Sequence, residues 1–160
     1  MATYNSNQML ANGGASAVRV GGGHGMGGDT KTFFFLAPIT AAPLLADVIN
    51  LGWVPKGFRV TGVTITATDM DTSTGMLVDV GDAGDADRLV ADSAVGQANT
   101  LKVDTIRPSA LTSGVVTLGF GYKYTADTLL YATVDTAPTG TGSAGTLLIS
   151  VSGVIEGVAS

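Results

Sequence analysis

The stretch Asn50-Leu51-Gly52-Trp53-Val54-Pro55-Lys56-Gly57-Phe58-Arg59-Val60 reads as a strand, a tight turn and a second strand. Proline presets φ for a turn and glycine supplies a positive φ, so a type II turn fits, with Pro55 at its second position and Gly57 at its third or fourth. A second unit of the same kind follows in Asp79-Val80-Gly81-Asp82-Ala83-Gly84-Asp85-Ala86-Asp87-Arg88-Leu89-Val90. Two such units, with no visible reaction centre between them, point to a small β-sandwich whose function lies on its surfaces.

The pattern extends along the chain. Arg59–Ala67 is rich in β-branched residues, which pack well on a pleated surface. Thr32-Phe33-Phe34-Phe35-Leu36 is a short apolar run bounded by Pro38, as expected of a strand covered on both faces. Ala41–Ile49 is interrupted by Pro43 and reads as loop or short strand. Further strands are expected at Met76–Val80, Arg88–Ala91, Thr100–Val103, Val115–Tyr124, Leu129–Val134 and Gly145–Ile155, with a loop over residues 135–144. Short strands at about 8–12-residue spacing without intervening helices predict an all-β sandwich or barrel. Residues 31–160 form that domain, and residues 1–30 read as a flexible arm. Gly13-Gly14, Gly21-Gly22-Gly23 and Gly27-Gly28 leave the arm few side chains to bury, although Ala17–Val20 could pair as an edge strand.

Composition narrows the function. Charged residues are only 13% of the chain, too few to solvate a whole monomer surface comfortably, so copies or a partner are expected to cover part of it. Eight basic residues against thirteen acidic ones, with no Lys or Arg cluster, disfavour nucleic-acid binding. The absence of cysteine removes disulfides and thiolate chemistry. The first ten residues lack the basic start and apolar stretch of a secretory signal. Thr32–Ala46 is uncharged, but Pro38, Pro43 and the following Asp47 disfavour a membrane span.

Few residues invite chemistry. Gly23–Gly28 fits G-x-G-x-x-G, with Asp47 about 20 residues on, yet a strand pattern follows where a dinucleotide site needs a helix. His24 is the single histidine and sits among glycines, with nothing to orient it. Asp69-Met70-Asp71-Thr72-Ser73-Thr74-Gly75 alternates oxygen side chains as a calcium loop does, but Thr74 and Val80 stand where an EF-hand places glycine and glutamate. Asp79, Asp82, Asp85 and Asp87 are the weak candidates for a cation site; turn chemistry explains them better, since Asp bonds nearby amides and Gly81 and Gly84 suit turns. One tryptophan and 6% aromatics offer little to line a sugar cleft. No cofactor and no catalytic residue is expected. Trp53, Phe58 and Arg59 are the interface candidates.

The order of Leu51–Val60, Val78–Val90, Tyr124-Thr125-Ala126-Asp127-Thr128-Leu129 and a terminal apolar strand resembles the decoration, or cement, proteins of tailed bacteriophages. The resemblance covers about residues 32–156. It implies a jelly-roll-like sandwich on the outer surface of a capsid, bound to the major capsid protein and to copies of itself, a trimer being favoured, with no enzymatic activity. The alternative is a carbohydrate- or host-surface-binding module of a phage fibre.

Overall fold

The computed structural model describes residues 1–6, 30–98, 102–106 and 121–156, with backbone alone considered for 102–106. Nine strands are described: β1 Thr3–Asn5, β2 Thr30–Ile39, β3 Val48–Val54, β4 Phe58–Ala67, β5 Leu77–Asp82, β6 Asp85–Ser93, β7 Lys102–Ile106, β8 Thr128–Thr136 and β9 Gly145–Ile155. They form two sheets, ordered β1-β3-β8-β5-β6 and β2-β9-β4-β7. The all-β sandwich expected from the strand spacing is what the chain adopts. Among the described residues no helix is long and apolar enough to cross a membrane.

The pairings define a wrapped ribbon. β2 pairs with β9, β3 with β8, β4 with β7 and β5 with β6, all antiparallel. The chain thus runs out along β2–β5 and back along β6–β9, and apart from the β5–β6 hairpin each successive strand crosses to the other sheet. That connectivity is the strand order of a jelly roll. β1 adds to the edge of the first sheet, parallel to β3.

Alternation builds the core. In β4, Val60, Val63 and Ile65 point inward while Thr64 and Thr66 lie on the outer side. Phe33, Phe35, Ala37 and Ile39 of β2 and Leu147, Ile149 and Val151 of β9 face inward with them. Ile49, Leu51, Val54, Val78, Val80, Leu130, Ala132 and Val134 complete the core from the other sheet. Gly153, on the central strand β9, leaves room for the Phe58 ring: an added Cβ would lie 2.5 Å from it and 2.3 Å from the Arg59 carbonyl oxygen.

Several expectations are corrected. The turn of the opening stretch starts one residue later than expected: the Phe58 N–H donates to the Pro55 oxygen at 3.1 Å, so Pro55 is first and Gly57, with φ 86°, third. It is a corner between sheets, since β3 and β4 belong to different ones. β2 runs through Pro38, which an edge strand tolerates because, among the described residues, one side of it has no ladder to feed. It is covered on one face only, with Phe34 67% and Leu36 41% exposed on the other. Residues 121–124 lie beside the start of β4, joined to it by four backbone hydrogen bonds: the Gly57 N–H donates to Tyr124, the Tyr124 N–H to Phe58, the Val60 N–H to Tyr122 and the Gly121 N–H to Val60.

The expected arm is partly in the sheet, because Thr3–Asn5 form β1 and the Ala2 N–H donates to the buried Asp47 carboxylate. Gly13-Gly14, Ala17–Val20, Gly23–Gly28 with His24, and residues 115–120 of the strand expected to end at Tyr124 lie outside the described residues.

Candidate interaction surfaces and the acidic turns

The two sheets turn different chemistry outward. On the first, Asp79 of β5 lies between the buried Val78 and Val80 and therefore faces out. Burial pushes its carboxyl above the usual range, the Asp92 N–H opposes this, and the charges of Asp135, Asp92 and Asp87 raise it further. This face is a concentration of carboxylates. On the second sheet the outward rows are Thr32, Phe34, Leu36 and Pro38 of β2, Thr146, Leu148, Ser150 and Ser152 of β9, and Thr64 and Thr66 of β4. None of these is charged; Arg59, farther along the outward row of β4, is paired with Glu156. Leu36 pairs with Leu148, and the Thr32 and Ser152 hydroxyls share a hydrogen bond of 2.9 Å.

The four weak cation candidates are employed in the β5–β6 hairpin. Asp82 and Asp85 flank the Ala83-Gly84 loop as a pair. Asp82 accepts the Gly84 N–H at 2.8 Å and the Arg88 Nε–H at 2.7 Å, and Arg88 lies 4.1 Å above the Tyr122 ring. Asp79 accepts the N–H of Asp92 at 2.8 Å. Asp92 has φ 53° at an irregularity of the β5–β6 register, so that bond braces a bulge. A hydrogen bond with Asp87 pushes the Asp85 carboxyl up, burial adds to this, and Arg88 opposes it from 3.7 Å. Among the described residues no three metal-ligating side chains converge.

Because Asp82 is nearly buried and Asp85 is half-exposed, their removal should differ. Asp82→Ala strands the largely buried Arg88 guanidinium and is expected to cost about 2–3 kcal/mol. Asp85→Ala should leave the melting temperature nearly unchanged. Chelator should not alter melting of the wild type; a rise with added calcium that chelator reverses would show the hairpin to be a cation site.

The calcium-like loop holds the most consequential carboxylate. Asp71 is fully buried. Its Oδ1 accepts the N–H groups of Ser73 at 2.9 Å and Gly140 at 3.0 Å, and its Oδ2 those of Gly75 and Met76 at 3.0 Å and Thr139 at 3.3 Å. Burial pushes this carboxyl up, but the backbone donors Ser73, Gly140, Met76 and Gly75 together outweigh it and hold the pKa at about 2. Both oxygens are thereby committed to the chain itself, tying the β4–β5 loop to the β8–β9 loop.

The interface candidates separate. Phe58 is fully buried, edge-on to Phe33 with ring centroids 5.1 Å apart, and offers no surface to a second chain. Arg59 is half-exposed, but its guanidinium is engaged: it donates to Glu156 and, at 2.5 Å, to the Gly121 carbonyl oxygen. Lys123 meets the same carboxylate at 3.0 Å. Hydrogen bonding from Arg59 first, then from Lys123, holds Glu156 down at about 2. Trp53 is partly buried on β3, with an indole nitrogen that has no partner among the described residues. The exposed residues that the sequence reading passed over are Phe34, Leu36 and Leu148.

Two solved structures share this sandwich. A chain of the cyanophage Pam1 capsid asymmetric unit superposes with a TM-score of 0.69 at 28% identity, over 88% of this chain and 94% of its own length. A chain of the Ralstonia phage GP4 capsid superposes with a TM-score of 0.69 at 19% identity, over 99% of this chain and 100% of its own, a likeness of fold. No protein-family model and no curated protein matches the sequence. The chain is therefore similar, over nearly its whole length, to components of phage capsids, the group to which its turn motifs bear a resemblance.

Proposed function

We propose that this chain is a structural protein of a phage virion that decorates the outside of the capsid shell, binding the lattice of the major capsid protein as a homo-oligomer, with a trimer favoured. The observation that carries the reading is the likeness to a chain of the Pam1 capsid asymmetric unit over almost the full length of both molecules. A match along nearly all of both chains means that the whole fold, and not a fragment of it, is what the two share. The side-chain chemistry agrees. The buried and half-buried carboxylates Asp71, Asp82 and Asp79 brace loops and a bulge. The function is then attachment, without turnover of a small molecule.

The fibre-module alternative predicts a row of exposed aromatics for stacking on sugars. Phe33, Phe35, Phe58 and Tyr124 are instead buried, and the exposed Phe34 and Tyr122 stand on different elements. The test is co-sedimentation of purified protein with undecorated mature shells. Binding should saturate at a fixed number of copies per shell, and unrelated shells should bind none. Failure to saturate, or equal binding to unrelated shells, would overturn the lattice role and favour the glycan-binding alternative.

A further inference from the structure

The net charge of the chain is −5, yet β2 from Thr32 onward, β4 from Val60 onward and all of β9 contain no charged residue. Exposed apolar side chains concentrate on this side. Phe34 and Leu36 stand on β2, and Leu148, 37% exposed, on β9. β2 is also an edge strand of ten residues, and among the described residues only β9 pairs with it. A long apolar edge is a template for association unless something covers it, and here Pro38 is the one strand-breaking residue along it.

We infer that the face centred on Phe34, Leu36 and Leu148 is the contact between copies of this chain, placed against the rotation axis of the homo-oligomer. The inference rests on the oligomeric part of the function proposed above. Its physical basis is symmetry. Beside a rotation axis each side chain meets its own copies, so a carboxylate there meets carboxylates and a neutral group meets neutral groups. The opposite sheet, with Asp79, Asp87, Asp92 and Asp135 outward, repels its own image at neutral pH. Over Thr32–Ile39, Val60–Ala67 and Gly145–Ile155 the face has no charge to repel, and Arg59 at its far end is already paired with Glu156. Its Thr and Ser hydroxyls each donate and accept, so a hydroxyl row can satisfy a copy of itself, as Thr32 and Ser152 already do within one chain. A partner of different charge would be met by complementary groups, and the stretch around Phe34, Leu36 and Leu148 carries none.

Light scattering coupled to size exclusion tests this at micromolar concentration. The wild type should elute above monomer mass. The double variant Phe34→Lys/Leu36→Lys places two cations per copy at the axis and should elute as a monomer, its self-association weakened on the order of tenfold or more. Both sites are exposed, so far-UV circular dichroism should be unchanged. Leu148→Thr, which matches the neighbouring hydroxyl rows, should weaken association in the same direction should the lysine variant fold poorly. Asp87→Lys on the opposite face should keep the wild-type mass. A lysine variant and a Leu148→Thr variant that both keep the oligomer would overturn the inference, as would a wild type that is monomeric throughout. Shell binding by the same proteins separates the two readings. An oligomer that ignores shells and dissociates on Leu36→Lys upholds the contact while overturning the capsid role. A monomer that loses shell binding on Leu36→Lys assigns the face to the shell and overturns the contact between copies.

Discussion

Replacing Asp71 with alanine is expected to cost about 4 kcal/mol and to lower the melting temperature by roughly 8–16 °C. Five backbone N–H groups converge on this buried carboxylate from two loops nearly seventy residues apart in sequence. Alanine leaves them facing one another with no acceptor, and a buried donor without a partner costs about 1–3 kcal/mol. Relaxation and entering water recover part of that sum, which keeps the total near the upper end of single-residue effects. Asp71→Asn retains one acceptor oxygen and should fall between the two. Urea unfolding monitored by Trp53 fluorescence would measure both; a loss below about 1 kcal/mol for alanine would show that the loops hold together without the carboxylate.

The same group sets a pH dependence. Its folded-state pKa of about 2 lies below the ordinary Asp value, so the native state binds the proton more weakly than the unfolded chain. Its contribution is therefore full above about pH 4 and is lost as the pH falls toward 2. Wild-type stability should drop through that window, and Asp71→Asn should flatten the drop. Glu156 acts in the same direction, but it is partly exposed, so added salt should weaken its share and leave that of Asp71 largely intact.

Phe58→Ala should be comparably severe, at about 3–5 kcal/mol, because it removes a fully buried ring and opens a cavity that Gly153 cannot fill. The ring fills the space left by the missing Gly153 side chain and meets Phe33 edge-on. A contact residue between chains would behave differently: its truncation would weaken association and leave the isolated fold stable. Thermal melting together with oligomer mass distinguishes the two. An unchanged melting temperature with a lost oligomer would return Phe58 to the interface, against its place inside the sandwich.

Phe58 also shows where sequence reading stops. Position 58 follows a turn, and an aromatic beside a turn can cap a core or stud a surface; only the register of β4 against β9, with Gly153 beneath the ring, decides. The run Phe33-Phe34-Phe35-Leu36 poses the same difficulty, because when both alternating rows are apolar the period-two signal vanishes. The carboxylates were more legible. Asp beside Gly predicted turn chemistry, and Asp82 does cap Gly84, but nothing local announced that Asp71 would take two of its five donors from residues 139 and 140.

By itself, the sequence determined the β class, the positions of most strands and the shortage of basic residues, because side-chain period, turn residues and charge are local properties. Gly145–Ile155 was legible to the residue for that reason, an alternating run between a glycine-rich loop and the chain end. The tertiary structure alone decided which strands share a sheet, which row of β2 is left open, and which faces are acidic or neutral. Those depend on pairing partners more than 100 residues apart, such as Thr32 with Ser152, and no local pattern specifies them.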